Sequence, residues 1–113
     1  MHELAIAQSI IDLVEEHARR DSFAHVREIR LVIGALSHVD PRALEFGFEV
    51  VARGTIAEGA RLAIDRPPGT GYCTDCHAEV TIAAHGDACP ACGAETWQMV
   101  GGDEMRVVDL EVW

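Results

Sequence analysis

The chain has 113 residues, of which 49% are hydrophobic and 25% are charged. Acidic residues outnumber basic ones by 19 to 9, so the formal net charge is −10, and every basic residue is an arginine. A surface with this charge repels nucleic-acid phosphates. No apolar run approaches the roughly 20 residues that a helix needs to span a bilayer. The composition therefore predicts a soluble protein that does not bind nucleic acid, with one modest core and at most a small appended module.

The opening segment does not resemble a signal peptide. It lacks a basic n-region, a continuous apolar h-region and a small-residue cleavage site. We therefore expect a cytoplasmic protein, and in that reducing compartment paired cysteines more often bind metal than form disulfides.

Three elements are indicated in the first half of the chain. Apolar residues recur at helical spacing from Leu4 to about Arg20, which predicts an amphipathic helix. Residues 26–34 alternate as a half-buried strand does. Asp40 is a suitable N-cap for a second helix that begins at Pro41 and runs to about Arg53.

Two further strands flank a segment that leaves the sheet. Residues 60–66 and 105–113 both show strand patterns, whereas the Pro/Gly-rich residues 67–71 and the Gly101-Gly102 pair favour turns. The predicted fold is α+β, with a small mixed sheet, two helices and an inserted four-cysteine zinc ribbon. We expect one domain over 1–68 and 103–113, and a zinc-ribbon domain over 69–102.

The four cysteines form two Cys-x-x-Cys motifs, Cys73/Cys76 and Cys89/Cys92, separated by twelve residues. Each motif can present two thiolates to one ion, and two motifs complete the tetrahedral site that zinc prefers. Such a site has no open position for water, so it predicts a structural metal.

Two other interpretations of the cysteines are weaker. A pair of disulfides requires an oxidising compartment, for which the sequence has no targeting signal. Cys73-x-x-Cys76-His77 also matches the pattern for c-type haem attachment, but haem leaves Cys89 and Cys92 unexplained.

The chain begins Met1-His2-Glu3, which places an imidazole next to the α-amine. The amine, the deprotonated amide of His2 and its imidazole can converge on one ion, with Glu3 completing the set through its amide or its carboxylate. Nitrogen ligands in a plane suit Ni(II) or Cu(II). An early histidine is more often an incidental exposed residue, so the spacing alone leaves both interpretations open.

Several colinear motifs together resemble the HypA/HybF family of hydrogenase-maturation factors, over essentially the whole chain. The matching segments are Met1-His2-Glu3-Leu4 leading into Ala7-Gln8-Ser9, Ile33-Gly34-Ala35-Leu36-Ser37, Phe46-Gly47-Phe48-Glu49-Val50, Gly54-Thr55-Ile56-Ala57-Glu58-Gly59-Ala60, the two cysteine motifs, and Gly102-Asp103-Glu104-Met105-Arg106-Val107.

The resemblance implies a nickel chaperone that inserts Ni(II) into the [NiFe]-hydrogenase large subunit together with the GTPase HypB. It implies that the Met1 amine, His2 and Glu3 hold nickel, beside a structural zinc. Asp40 lies in a loop that the resemblance places near nickel, although its chemistry as a helix N-cap is the better explanation.

The other histidines receive no metal role from the sequence. His17, His25, His38 and His85 are interpreted as ordinary polar residues. His77 departs from the family pattern, in which glycine is expected, and lies next to the predicted zinc site.

Three functions are compatible with at least part of the sequence. Metal delivery without catalysis, by a monomer or a homodimer, accounts for the most residues, and the hinges at 67–71 and 101–102 make domain swapping plausible. A zinc-ribbon nucleic-acid module rests on the cysteines alone and is opposed by the charge. A metal-dependent hydrolase would need clustered histidines and carboxylates that the sequence does not show.

Overall fold

A computed structural model of the chain describes residues 2–113. It contains two helices and six strands. In chain order these are α1 (His2–Asp21), β1 (Val26–Ile33), α2 (Pro41–Ala52), β2 (Arg61–Asp65), β3 (Gly69–Cys73), β4 (Glu79–Ile82), β5 (Trp97–Gly101) and β6 (Met105–Val112).

The α1 helix buries one face and has charges that suit its dipole. Glu3 lies in the first turn, and Arg19 and Arg20 lie in the last turn, the order that a helix dipole favours. The predicted helix is confirmed and begins two residues earlier than its pattern indicated. Leu4 departs from the expected burial because it lies against Gly47 of α2, which has no side chain to cover it, and 45% of its surface stays exposed.

The start of α2 matches its sequence signals. The Asp40 side chain accepts hydrogen bonds from the backbone amides of Arg42 and Ala43, at 3.0 and 3.4 Å, and Pro41 is the first helical residue. The predicted N-cap is therefore confirmed. Leu44 and Phe48, one turn apart, are buried in the core.

The first sheet has the strand order β2-β1-β6, so the central strand is β1. Its alternating residues Ile29, Leu31 and Ile33 are almost completely buried. The prediction that the C-terminal strand rejoins the first sheet is confirmed, and with it the α+β fold class. Because β6 lies at the edge and has one neighbouring strand, its apolar Val108 and Val112 remain 48% and 42% exposed.

The second sheet has the order β4-β3-β5, and both pairs are antiparallel. Tyr72 of β3 lies opposite Glu79 of β4, whereas Cys73 lies opposite Trp97 of β5. The predicted turn residue Gly102 has a φ of 104°, a backbone conformation that favours glycine.

The chain divides into two compact units. One comprises the chain up to Leu31 with Val39–Ile64 and Val107–Trp113, and the other comprises Val32–His38 and Asp65–Arg106. The second unit holds all of the cysteines, while both helices belong to the first. Among residues 2–113, no helix is both long and apolar enough to cross a membrane.

The α2 helix provides a matched pair of substitutions for the core. Leu44 is completely buried, so Leu44→Ala should lower the free energy of unfolding by about 2–5 kcal/mol. Phe46→Ala, at a position that is 71% exposed, should change it by at most about 0.5 kcal/mol. Urea unfolding followed by far-ultraviolet circular dichroism measures both. Equal losses from the two substitutions would contradict the assignment of the core.

Candidate metal centres

The four cysteine side chains meet in the second unit. Cys73 ends strand β3, and the other three cysteines lie in loops outside the strands. The Sγ atoms of Cys73 and Cys92 are 3.6 Å apart, those of Cys76 and Cys89 are 3.8 Å apart, and all four lie within 4.8 Å of one another. Cys73 and Cys89 are buried, so one thiol of each motif faces the interior.

These distances fit zinc and do not fit disulfides. Zinc with four sulfur ligands at about 2.3 Å separates neighbouring sulfurs by about 3.8 Å, whereas a disulfide bond is about 2.05 Å long. All four cysteines are free thiols in the structure. The site thus matches a structural zinc bound by four thiolates, and it uses the two cysteines that a haem attachment would leave unexplained.

The two motifs have the same local backbone. The amide of His77 donates to the carbonyl of Cys73 at 2.9 Å, and the amide of Gly93 donates to the carbonyl of Cys89 at 2.8 Å. Both donors follow the second cysteine of their motif and have positive φ values, 57° at His77 and 81° at Gly93. The left-handed backbone explains why glycine is the expected residue at position 77.

His77 extends toward Tyr72 of β3. Its Nδ1 atom lies 3.1 Å from the Tyr72 hydroxyl, and the two rings are tilted with their centroids 6.3 Å apart. Tyr72 is not identifiable from the sequence as a partner of His77, because their contact depends on how the cysteine turn folds back onto β3. His77 is outside the cluster of four ligand side chains, which leaves that set all sulfur.

The surroundings of the cysteines shift their pKa values in opposite directions. Burial raises the pKa of Cys89, but hydrogen bonds from the backbone amides of Cys92 and Ala91 outweigh it and hold the value at about 7. The amide of Ala94 lowers the pKa of Cys92, whereas the neighbouring thiols and burial raise it to about 12. Four thiolates this close repel one another, so a dication is needed to hold all of them deprotonated.

The amino-terminal residues form a second, smaller arrangement. The His2 imidazole is exposed, with 57% of its side-chain surface accessible, and its Nε2 atom lies 3.4 Å from a carboxylate oxygen of Glu3. That oxygen also accepts a hydrogen bond from the backbone amide of Asp40 at 3.2 Å. The predicted ligand Met1 lies outside the described residues.

The Glu3 carboxylate is strongly held in its ionised form. The hydrogen bond from the Asp40 amide, followed by that from its own backbone amide, lowers its pKa to about 2. Only about 10% of the Glu3 side chain is exposed, although Glu3 lies in the first turn of α1. The structure thus connects the start of α1 to the cap of α2, a contact with no signal in the sequence.

The Asp40 carboxylate is used by the helix that it caps. Its Oδ1 atom accepts from Arg42 and Ala43. Within residues 2–113, the cysteines are the only group of three or more potential ligand side chains close enough to hold one ion. The side chains of His2, Glu3 and Asp40 do not form such a group.

Two of the remaining histidines contact each other. The rings of His38 and His85 stack with their centroids 4.2 Å apart and their planes inclined by 7°. His17 instead lies 3.1 Å from a guanidinium nitrogen of Arg20, and His25 lies beside Trp113. All four were predicted to be ordinary polar residues, and the His38–His85 pair was not predicted because its members are distant in sequence.

Known proteins resemble this chain over nearly its full length. The family model described as hydrogenase/urease nickel incorporation, metallochaperone, HypA matches residues 1–112. A hydrogenase maturation factor HypA from Methylocella silvestris is 49% identical over 112 residues, which are 99% of each chain. Hydrogenase maturation factor HypA 2 from Bradyrhizobium diazoefficiens is 52% identical, again over 99% of each chain.

Solved structures agree with these sequence relatives. The solution structure of the Ni metallochaperone HypA from Helicobacter pylori has a TM-score of 0.65 and 26% identity, covering 99% of this chain and 97% of that one. A second solution structure of a HypA protein has a TM-score of 0.69 and 27% identity, covering 100% of this chain and 97% of its own. With its clustered cysteines and full-length relatives, the chain belongs to the HypA family of nickel metallochaperones.

Proposed function

We propose that this protein binds Ni(II) at its amino terminus and delivers it for the maturation of [NiFe]-hydrogenase. The observation that carries the proposal is the exposed imidazole of His2, at the second position of a chain whose family incorporates nickel. The proposed ligands are the Met1 amine, the His2 amide and imidazole, and Glu3. Nitrogen donors in a plane are a set that Ni(II) accepts readily.

The position of His2 at the first turn of α1 supports this ligand set. The first four amides of an α-helix have no acceptor within the helix, so deprotonating the His2 amide breaks no helical hydrogen bond. Glu3 is proposed to complete the set through its backbone amide or through its carboxylate, one oxygen of which lies 3.4 Å from the His2 Nε2 atom. A terminal, exposed site also suits cargo that must be released.

Asp40 is proposed chiefly as a structural residue of this site. Its carboxylate caps α2, and its amide holds Glu3. A direct contact between Asp40 and nickel would use the other carboxylate oxygen, and we propose it as a secondary role of this residue.

A protein that delivers nickel needs a protein that receives it, and this requirement defines the proposed partners. The relatives are named hydrogenase maturation factors, so the receiving protein is proposed to be the [NiFe]-hydrogenase large subunit, with a HypB-type GTPase acting beside it in the cytoplasm. Members of the family are named metallochaperones rather than enzymes, and we assign no catalytic step to this chain. Its charge of −10 argues against a nucleic-acid partner.

The zinc ribbon is proposed to be a separate structural domain. We place it at 69–102, with 1–68 and 103–113 forming the nickel-binding domain. Its three strands have four or five residues each, which is too little to fold without a cross-link. Bound zinc would join β3 to both cysteine turns, and none of the proposed amino-terminal nickel ligands lies in the ribbon.

The purified protein should carry about one zinc per chain, and Cys73→Ala should lose it. Structural zinc contributes on the order of 10–16 kcal/mol in finger peptides, so the backbone amides of β3 to β5 should lose their protection from hydrogen exchange. Both helices should keep their circular dichroism signal, because they lie in the other unit. Elemental analysis and hydrogen exchange measure these outcomes.

Thr74→Ala is the matched control for this prediction, since Thr74 is an exposed residue within the same cysteine turn. It should leave zinc content and exchange unchanged. Full zinc occupancy in Cys73→Ala, or unfolding of the helices along with the strands, would be incompatible with a structural site confined to the ribbon.

The lowered pKa of Glu3 predicts how pH affects the first unit. A carboxyl whose pKa falls from 4.5 to about 2 on folding stabilises the folded state fully above pH 4.5, and this contribution is lost as the pH falls through 2. Glu3→Gln removes the contribution. The difference in free energy of unfolding between native protein and Glu3→Gln should therefore be constant above pH 4.5 and shrink below it.

Urea unfolding at a series of pH values, followed by the helical circular dichroism signal, measures this difference. Acid also removes zinc from thiolates, but it does so in both proteins and cancels in the comparison. A difference that does not depend on pH would show that the ionised carboxylate is not what joins the two helices.

His2→Ala should weaken Ni(II) binding by at least about a hundredfold while zinc content and fold persist. Loss of a ligand should exceed the 10–100-fold cost of losing a residue that merely supports one. The substitution leaves the buried face of α1 and the four cysteines untouched. Isothermal titration of zinc-loaded protein with Ni(II) measures the affinity.

Asp40→Ser is the companion variant, since serine keeps the N-cap of α2 but removes the carboxylate. It should weaken nickel binding far less than His2→Ala does. The proposal fails if His2→Ala binds nickel as tightly as the native chain, because the ion must then lie elsewhere.

A further inference from the structure

His38 and His85 stack on each other, and the proposed function uses neither of them. Imidazole is a common metal ligand in proteins. His38 lies between β1 and α2, and His85 lies between β4 and β5. Both belong to the second unit, both are exposed, and their ring centroids are only 4.2 Å apart.

The His85 ring is oriented by a backbone group. Its Nε2 atom lies 2.8 Å from the carbonyl oxygen of Leu36. A carbonyl only accepts hydrogen bonds, so Nε2 carries the proton and Nδ1 holds the lone pair. Metal-binding histidines in proteins almost always donate their second ring N–H in this way, which fixes the nitrogen that faces the ion.

The turn that carries His85 is itself held in place. The Asp87 carboxylate accepts hydrogen bonds from the amides of Ala83 and Ala84, each at 3.1 Å. The Asp87 carbonyl accepts from the Trp97 indole at 2.7 Å, which fastens the turn to β5. His85 is therefore presented from an ordered support, as a ligand needs to be.

The ring centroids are 4.2 Å apart, close enough for a rotation of one side chain to bring a nitrogen of each ring to one ion. Two imidazole nitrogens, each about 2.1 Å from a metal, lie about 3 to 4 Å from each other. A nitrogen lone pair points along its ring plane, so one ring must tilt out of the parallel stack. His38 is exposed and can do so without displacing a buried side chain.

We propose that His38 and His85 form a second Ni(II) site on this protein, completed by water. Imidazole nitrogen suits nickel, and the net charge of −10 favours a cation. With two protein ligands instead of a terminal chelate, the site binds more weakly than the amino-terminal one. It shares no residue with Met1, His2 or Glu3, so it does not depend on the function proposed above.

Titration calorimetry of zinc-loaded protein with Ni(II) tests the proposal in four chains: native, His2→Ala, His38→Asn and the double variant. Asparagine replaces His38 because the backbone there has a φ of 63°, which asparagine tolerates. The native chain should show a tight and a weaker event. His38→Asn should weaken only the second event, by at least about tenfold, and the double variant should lose both.

His85→Gln provides an independent variant, because its amide can still donate to the Leu36 carbonyl after the imidazole is gone. It should behave as His38→Asn does. His25→Asn is the matched control at another exposed histidine and should leave both events unchanged. Circular dichroism and zinc content confirm that each variant is folded.

The proposal is overturned if either His38→Asn or His85→Gln titrates like the native chain, or if His25→Asn weakens the second event equally. If nickel does not bind at the amino terminus, His2→Ala will titrate like the native chain. The comparison of His38→Asn with the native chain still tests the second site in that case. The two proposals can therefore succeed or fail separately.

Discussion

The second unit can fold only if the mutual repulsion of its four cysteine thiolates is overcome. Its sulfur atoms lie within 4.8 Å of one another, and the strands around them are four or five residues long. Such strands bury too little apolar surface to hold the sulfurs together. A zinc ion converts the repulsion into the strongest cross-link of the unit, and the paired turns around His77 and Gly93 set its geometry.

A structural zinc and a nickel cargo make opposite demands on a protein. The cysteine site would retain zinc with a closed set of four ligands, two of them buried, and no position for an incoming group. Cargo nickel must leave, and the proposed terminal site has an exposed histidine on the first turn of a helix. The Glu3 carboxylate links that turn to the amide of Asp40, so the turn is fixed to the fold although the His2 imidazole is exposed.

Much of the architecture follows from local patterns. The Asp40-Pro41 pair specifies the start of α2 because both residues act on neighbouring backbone, and the cysteine spacing identifies four ligands for the same reason. The Glu3–Asp40 and His38–His85 contacts were missed, since each joins residues that the folded topology brings together. Likewise, the alternation in β6 predicts a strand but contains no information that it lies at an edge, with Val108 left partly exposed.

The central claim is that nickel binds at the free amino terminus. Acetylation of the α-amine blocks one proposed ligand and alters no side chain, which makes it the most direct test. Equilibrium dialysis against Ni(II) should show that the acetylated chain has lost the tight nickel site while its zinc content stays at the native value. Tight nickel binding that is unchanged by acetylation would contradict the account.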